Sequence, residues 1–356
     1  MAYMYREALQ NLSANIAPSQ AGQEALIRLH ANENPYGCSP SVKDALLETM
    51  QNGPSNYPDG YTTALREALS EKYGVDKDSF LFGNGTDEII YMLGKAFLEP
   101  DDEVIMPKVS FTSYVASTLS MGGKLISPPM KEDFSVDLDA VLEAITDKTK
   151  YIVIVNPNNP TGTVFTQQEQ QEFLKKVPKN ILVVLDEAYA ELYMGEDYPD
   201  SFAALKEFDN LIILKTFSKV YGLASFRIGF MVANKDLITY VSRVKNAFNV
   251  SAPAMAAAAA AFKDNAFVEM VRENNSKCIK YLCGKLDEMG YSYTPTHTAF
   301  LLIDVKKDEM PIIKALREKG YLVRPGSDFA VANYIRVSIG TMEQMEGFVQ
   351  AFKECV

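Results

Sequence analysis

A chain of 356 residues with 47% hydrophobic and 23% charged residues can bury a large core and is long enough for two domains. Thirty-five basic residues against 46 acidic ones leave a net charge of −11, which argues against nucleic acid or an anionic membrane as the main partner. No apolar run approaches the ~20 residues that span a bilayer, and the first ten residues carry Arg6 and Glu7 with no apolar signal-peptide core, so a cytoplasmic protein is expected.

In chain order, residues 1–35 belong to no strand–helix alternation. From about residue 80, short β-rich runs alternate with helical patterns. The runs are 80–82, 103–106, 124–127, 151–155, 181–185, 211–214 and 226–233. Several are continuously apolar, as strands covered on both faces should be. The expected fold is α/β, a three-layer α/β/α large domain with a mostly parallel sheet. The last run follows its predecessor after only about a dozen residues, too few for a crossover helix, so it is expected to be antiparallel. After residue 245 the texture changes. The alanine-rich stretch 252–261 reads as the start of a buried helix, and a long helical pattern over 267–289 ends at Gly290, a good helix-ending position. A strand over 299–305, a helix over 310–319 and a strand over 333–339 complete a smaller α+β domain. The expected division is a large domain, 36–245, and a discontinuous small domain, 1–35 with 246–356.

Four cysteines, Cys38, Cys278, Cys283 and Cys355, show no C-x-x-C spacing and read as reduced packing residues. The only histidines, His30 and His297, leave little material for a metal site or a Ser-His-Asp triad, so acid–base work is expected to fall to lysine. No metal is expected.

Four strings carry chemistry. Gly83-Asn84-Gly85-Thr86-Asp87-Glu88 lies between a strand and a helix expected over 88–98, where free backbone N–H groups and a hydroxyl make a seat for phosphate. Helix capping by Thr86 or Asp87 would explain the same string. Asn156-Pro157-Asn158-Asn159-Pro160-Thr161-Gly162 follows an apolar strand, and two prolines and a glycine fix a backbone suited to presenting a side-chain amide. Asp186 ends another apolar strand, where its carboxylate can pair with a protonated pyridine nitrogen, and Tyr189 follows three residues later. Thr216-Phe217-Ser218-Lys219 lies just beyond the run 211–214, at the strand edge where open α/β sheets gather ligands. A lysine there can form an imine with an aldehyde cofactor. Arg227 and Ser218 can add a charge and a hydroxyl to the phosphate seat.

Taken together, these strings resemble the fold-type-I, class I/II aminotransferases that use pyridoxal 5′-phosphate (PLP), over nearly the whole chain and in order. The likeness is nearest to the histidinol-phosphate aminotransferase branch, through His30-Ala31-Asn32-Glu33-Asn34-Pro35, Asn56-Tyr57-Pro58-Asp59, Gly85-Thr86-Asp87 and Val323-Arg324-Pro325-Gly326…Tyr334-Ile335-Arg336. The resemblance implies the aspartate aminotransferase-like fold, an amino donor and an oxo acceptor as partners, and a homodimer with shared sites. Lys219 would hold the cofactor and shuttle protons. Asp186 would pair with the pyridine nitrogen, Tyr189 and Asn159 would bind the ring oxygen, and Phe111 would stack on the ring. Gly85, Thr86, Ser218 and Arg227 would hold the phosphate, helped by Tyr57 from a second subunit, with Asp87 and Thr216 also among the cofactor-binding residues. Arg336 and Arg324 would face the carboxylate or phosphate of the substrate, beside Asn159 and Tyr57.

Two departures bear on the substrate. Ile16-Ala17-Pro18-Ser19 has serine where that branch has a tyrosine for the substrate phosphate, and Lys245-Asn246-Ala247-Phe248-Asn249 replaces an Arg-x-Pro-aromatic-Asn string. An aromatic or broad-specificity aminotransferase and a threonine-phosphate decarboxylase-like lyase share the motifs around Lys219. A non-catalytic module using residues 83–87 as a nucleotide loop would leave Lys219 and Asp186 without a role.

Overall fold

The computed structural model describes residues 5–10, 12, 25–51, 53 and 55–356; the Ile16-Ala17-Pro18-Ser19 string lies outside them. A short strand β1 (Ile27–Arg28) leads to helices α1 (Ser41–Gln51) and α2 (Thr63–Tyr73). The expected alternation follows: β2 (Phe80–Asn84), α3 (Gly85–Phe97), β3 (Glu103–Ile105), α4 (Ser113–Ser120), β4 (Lys124–Ile126), α5 (Leu138–Glu143) and β5 (Thr149–Val155). It continues through α6 (Gln167–Lys176), β6 (Leu182–Asp186), α7 (Ser201–Ala204), β7 (Leu211–Thr216), β8 (Ile228–Val232) and α8 (Lys235–Ser242). Each of the seven apolar runs contributes one strand to a single seven-stranded sheet of order β2-β8-β7-β6-β5-β3-β4. The strands β4, β3, β5, β6 and β7 are parallel, and β8 runs antiparallel to both β7 and β2, as its short connection requires.

The continuous apolar character of the central strands follows from burial on both faces. Ile152, Ile154, Val183, Leu185 and Ile213 face one core, whereas Val153, Val155, Val184, Ile212 and Leu214 face the other, which α3 covers with Ile89 and Leu93. Each such side chain contributes roughly 1.5–3 kcal/mol when fully buried. The alanine-rich segment forms α9 (Ala252–Lys263), begun by a Ser251 cap and Pro253 in its first turn, and its buried alanines let it lie against α1.

The expected division at residue 245 falls between α8 and α9. Ala254, Ala257 and Ala261 of α9 pack into the core of the large sheet. Helix α10 (Asn265–Met289) then crosses from one core to another: Phe267 and Val271 belong with the large sheet, Cys278, Leu282 and Leu286 with a second cluster. Gly290 closes α10 in the left-handed region at φ 72°, as its position suggests. The second cluster covers a three-stranded antiparallel sheet in which β9 (Phe300–Asp304) pairs with β12 (Tyr334–Ser338), and β12 with β11 (Arg324–Pro325). Helix α11 (Glu309–Glu318) precedes β10 (Tyr321–Leu322), the parallel partner of β1, and a final helix α12 (Met342–Cys355) completes this layer. The pairing of β1 with β10 in a separate two-stranded sheet, and Leu29 in the second core, place residues 27–29 in this layer. All four cysteines are free thiols. No helix among the described residues is long and apolar enough to cross a membrane.

Candidate active site

The parallel strands β5, β6 and β7 end side by side, and the ladder continues past their last residues through Asn156 N–H to Asp186 O (2.9 Å) and Glu187 N–H to Leu214 O (2.9 Å). This common edge opens onto a cavity of about 290 Å³. Thr86, Asp87, Phe111, Asn159, Asp186, Tyr189, Thr216, Ser218, Lys219, Arg227, Arg324 and Arg336 all line it, so nearly every residue singled out from the sequence converges there.

Asp186 is 2% exposed. Its carboxylate accepts from the Tyr114 hydroxyl at 2.9 Å and from the Ala188 N–H at 3.2 Å. No ammonium or guanidinium among the described residues pairs with it, and burial pushes its carboxyl up to about 6 despite the two hydrogen bonds. A buried carboxylate without a counter-cation suits one ligand chemistry above others, a protonated ring nitrogen. Tyr189, also buried, accepts from Asn32 Nδ2 at 2.8 Å and stands edge-on to Phe300. Nζ of Lys219 donates to the Ala31 carbonyl at 3.3 Å and lies 5.6 Å from the centre of the Tyr189 ring.

The phosphate seat differs in detail from the expected loop. The strand runs to Asn84 and the helix begins at Gly85, not residue 88, so Gly85 and Thr86 are the first residues of α3 and their N–H groups are free of helical partners. Gly85 has φ +73°, and a Cβ there would meet Arg227 Nη2 at 2.5 Å. On the opposite strand, a Cβ at Gly229 would stand 2.8 Å from the Thr86 nitrogen. Two glycines therefore keep this cradle open to an anion. Arg227, itself left-handed at φ 52°, pairs with Asp87 at 3.1 Å, and Asp87 also accepts from Ser113 Oγ at 3.0 Å. Asp87 thus holds the guanidinium that faces the seat. Ser218 donates its N–H to Thr216 Oγ1 at 3.1 Å, which fixes the turn between β7 and Lys219.

Arg336 brings the smaller sheet into the site. It is 2% exposed; Nη1 donates to Asn159 Oδ1 at 2.6 Å and Nη2 to the His30 carbonyl at 2.6 Å. Its Nε is buried without a partner, and the guanidinium lies 4.9 Å from the Phe329 ring centre. Burial lowers its affinity for a proton, to about 10, still fully charged at neutral pH. Arg324 stands directly opposite on β11, paired with Asp328 at 2.9 Å. Tyr57 lies outside the cavity, 83% exposed and stacked on Phe248 at 4.8 Å.

Two participants were not read from the sequence. Tyr114 fixes Asp186; its signal was a tyrosine three residues after Phe111, in the first turn of α4. Asn32 fixes Tyr189, and its φ of 54° is a conformation that asparagine tolerates better than most residues. The residues present fit PLP: an unpaired buried carboxylate, a lysine at the strand edge, an open anion cradle, and a second buried guanidinium.

The family model for aminotransferase class I and II matches residues 24–352. A curated histidinol-phosphate aminotransferase of Brevibacillus brevis is 41% identical over 335 residues, 94% of this chain and 92% of that protein. The enzyme of the same name from Bacillus subtilis is 40% identical over 336 residues, 94% and 93% of the two chains. Among solved structures, histidinol-phosphate aminotransferase of Sinorhizobium meliloti in complex with PLP superposes with a TM-score of 0.91 at 24% identity, covering 100% of this chain and 98% of that one. A Thermus thermophilus aspartate aminotransferase double mutant gives 0.88 at 25% identity, covering 100% of both chains, so the fold is the aspartate aminotransferase-like one. The chain belongs to the class I and II aminotransferases, enzymes that work with pyridoxal 5′-phosphate.

Proposed function

We propose that this enzyme exchanges the amino group of histidinol phosphate with 2-oxoglutarate. The observation that carries the reading is a pair of separate guanidinium sites on one cavity. Arg227 beside Gly85 suits the cofactor phosphate, and Arg336 beside Asn159, with a free Nε and Arg324 opposite, suits the anionic group of the substrate. The name shared by the relatives at about 40% identity supports the same substrate. A cytoplasmic location goes with this reading.

Bound PLP supplies the electron sink that weakens the bonds to Cα of an attached amine. Asp186 holds the proton on the ring nitrogen, and Tyr114 and the Ala188 N–H hold Asp186 in place. Tyr189 and Asn159 bind the ring oxygen, and Phe111 covers the ring. Thr86, Ser218, the first N–H groups of α3 and Arg227 bind the phosphate. Lys219 Nζ would take the Cα proton of the amino donor and deliver it to the cofactor carbon that carries the nitrogen, with the reverse transfer for the oxo acceptor, a positioned transfer that typically contributes ~10²- to 10⁴-fold. Arg336 clamps the carboxylate of the oxo acid, and Arg336 with Arg324 receives the phosphate of histidinol phosphate. Groups at the edge of the large sheet thus work with Arg324 and Arg336 of the smaller one.

The test is a set of half-reactions. The PLP form is mixed in turn with histidinol phosphate, glutamate, phenylalanine and phosphothreonine while the cofactor absorption is followed. Rapid conversion by histidinol phosphate and glutamate is expected. A preference for phenylalanine, or carbon dioxide release from phosphothreonine, would overturn the reading. The exposure of Tyr57 outside its own cavity supports a homodimer in which Tyr57 serves the neighbouring site. Mixed subunits carrying Lys219→Ala and Tyr57→Phe should regain activity through hybrid sites; no recovery after verified exchange contradicts the shared site.

A further inference from the structure

Behind the cofactor cavity lies a second cluster of ionisable groups that the mechanism above does not use. Side chains alternate along a strand, so the residues next to Asp186 and Thr216 point to the far face of the sheet. Those residues are Glu187 and Lys215, and they meet: Lys215 Nζ lies 3.3 Å from Glu187 Oε2 and 2.9 Å from Glu191 Oε1. The side chains of Lys215, Glu187 and Glu191 are only 5%, 4% and 15% exposed. Burial alone would depress the lysine, but the two carboxylates more than reverse it and keep it charged. Burial raises the carboxyl of Glu187, against the pull of Lys215.

The geometry ties both walls of the cavity together. Glu187 directly follows Asp186, and Glu191 lies in the turn over 190–192 that follows Tyr189. One ammonium on β7, four residues before Lys219, therefore grips the chain on both sides of Tyr189. The trio also carries charge. Two carboxylates and one ammonium leave one negative charge at the back of the strand ends. Facing it are Lys72 and Tyr73 of α2, Tyr221, Tyr198, Asp200 and the Arg272–Glu269 pair of α10. Lys72 acts on Glu191 and Arg272 pairs with Glu269; over the whole group three cations, Lys72, Lys215 and Arg272, stand against four carboxylates, Glu187, Glu191, Glu269 and Asp200, so one negative charge remains at the back of the strand ends.

We propose that Lys215, Glu187 and Glu191 form a positioning cluster that fixes Asp186 and Tyr189 and supplies negative potential favouring the protonated cofactor. The proposal rests on the assignment of Asp186 to the ring nitrogen, and its test separates the two.

Holoenzymes carrying Glu187→Gln, Glu191→Gln, the double change Glu187→Gln with Lys215→Met, and Asp186→Asn are titrated by the pH dependence of the visible band of the bound cofactor. Removing one carboxylate removes the net negative charge, so each single glutamine variant should lower the midpoint by about 0.5–1 pH unit. The double variant restores one net negative charge with a different set of side chains. Its midpoint should return close to the wild-type value, which no merely structural role would produce. Replacing a buried ion pair with neutral groups of similar volume is commonly tolerated, and thermal melts confirm folding. In kinetics, kcat should fall in the single variants with KM little changed. An unmoved midpoint in Glu187→Gln, with a clear shift in Asp186→Asn, overturns the cluster alone. A double variant that keeps the shift of the single one also overturns it. A midpoint unmoved by Asp186→Asn overturns the ring-nitrogen assignment, and the inference with it.

Discussion

Two arginines of the same cavity live in opposite environments. Arg336 is 2% exposed, pairs with no carboxylate among the described residues, and keeps Nε unpartnered, whereas the side chain of Arg227 is 43% exposed and already paired with Asp87. The contrast extends to the floor and rim generally: Asp186 is sealed, and Arg324 is a half-exposed member of an ion pair with Asp328. A charge out of water interacts several times more strongly than the same charge at the surface, where exposed pairs contribute only ~0–1 kcal/mol. Buried groups should therefore govern rate and discrimination. Rim groups should govern affinity, and should do so in a salt-dependent way.

The largest expected effect comes from the floor. Asp186→Asn should slow Cα deprotonation by on the order of 10²- to 10³-fold, the scale of removing one preorganised electrostatic group, with substrate affinity little changed. The same substitution should have the opposite effect on the cofactor-free protein. Burial raises the Asp186 carboxyl from 3.8 to about 6, so the fold prefers the protonated form. Its contribution to stability is complete below about pH 4 and is lost as pH rises through about 6. At pH 7 cofactor-free Asp186→Asn should be more stable than wild type by on the order of 3 kcal/mol, with no such gain at pH 4. Melting curves at the two pH values check this; equal effects at both would mean that burial does not raise the Asp186 carboxyl, and a loss of stability at pH 7 would mean that it meets a cation even without cofactor.

Next is Arg336→Lys. A lysine keeps the charge but loses the fork that reaches Asn159, the His30 carbonyl and a substrate anion together. It should lower kcat/KM roughly ten- to a hundredfold, corresponding to ~1.5–3 kcal/mol for a charge-assisted contact. An unaffected constant for every amino donor would place the clamp elsewhere. The smallest effect is expected at the rim. Arg227→Gln should weaken PLP binding about tenfold or less, and the difference should shrink in high salt as screening removes the wild-type advantage. A loss that persists unchanged in 1 M salt would show that the bound cofactor seals Arg227 from water.

The sequence made the large sheet legible because burial on both faces writes continuous apolar runs, and all seven runs became strands. Helices α1, α2 and α12 were not among the expected elements, although α12 opens with a Thr341 and Gln344 capping box that a reader could have used. Strands of two residues, such as β1 and β10, carry no periodicity to read. In the site, Lys219, Asp186 and Asn159 were legible because each lies at or just beyond the end of a buried strand. Tyr114 and Asn32 were not, because their roles depend on distant elements: Asn32 reaches Tyr189 across 157 positions. Lys215 carries a sign of its own, a lysine within a strand that is buried along its whole length. A charge in such a place needs partners, and its partners, Glu187 and Glu191, flank a residue already chosen for the site.

The central claim is that Lys219, at the end of β7, carries the cofactor in this cavity. Borohydride reduction of the PLP-loaded enzyme followed by peptide mapping tests it directly. The account predicts the pyridoxyl label on Lys219, in the peptide containing Thr216-Phe217-Ser218, and PLP binding without turnover in Lys219→Ala. A label on Lys215 or any other lysine, or turnover that survives in Lys219→Ala, would contradict it.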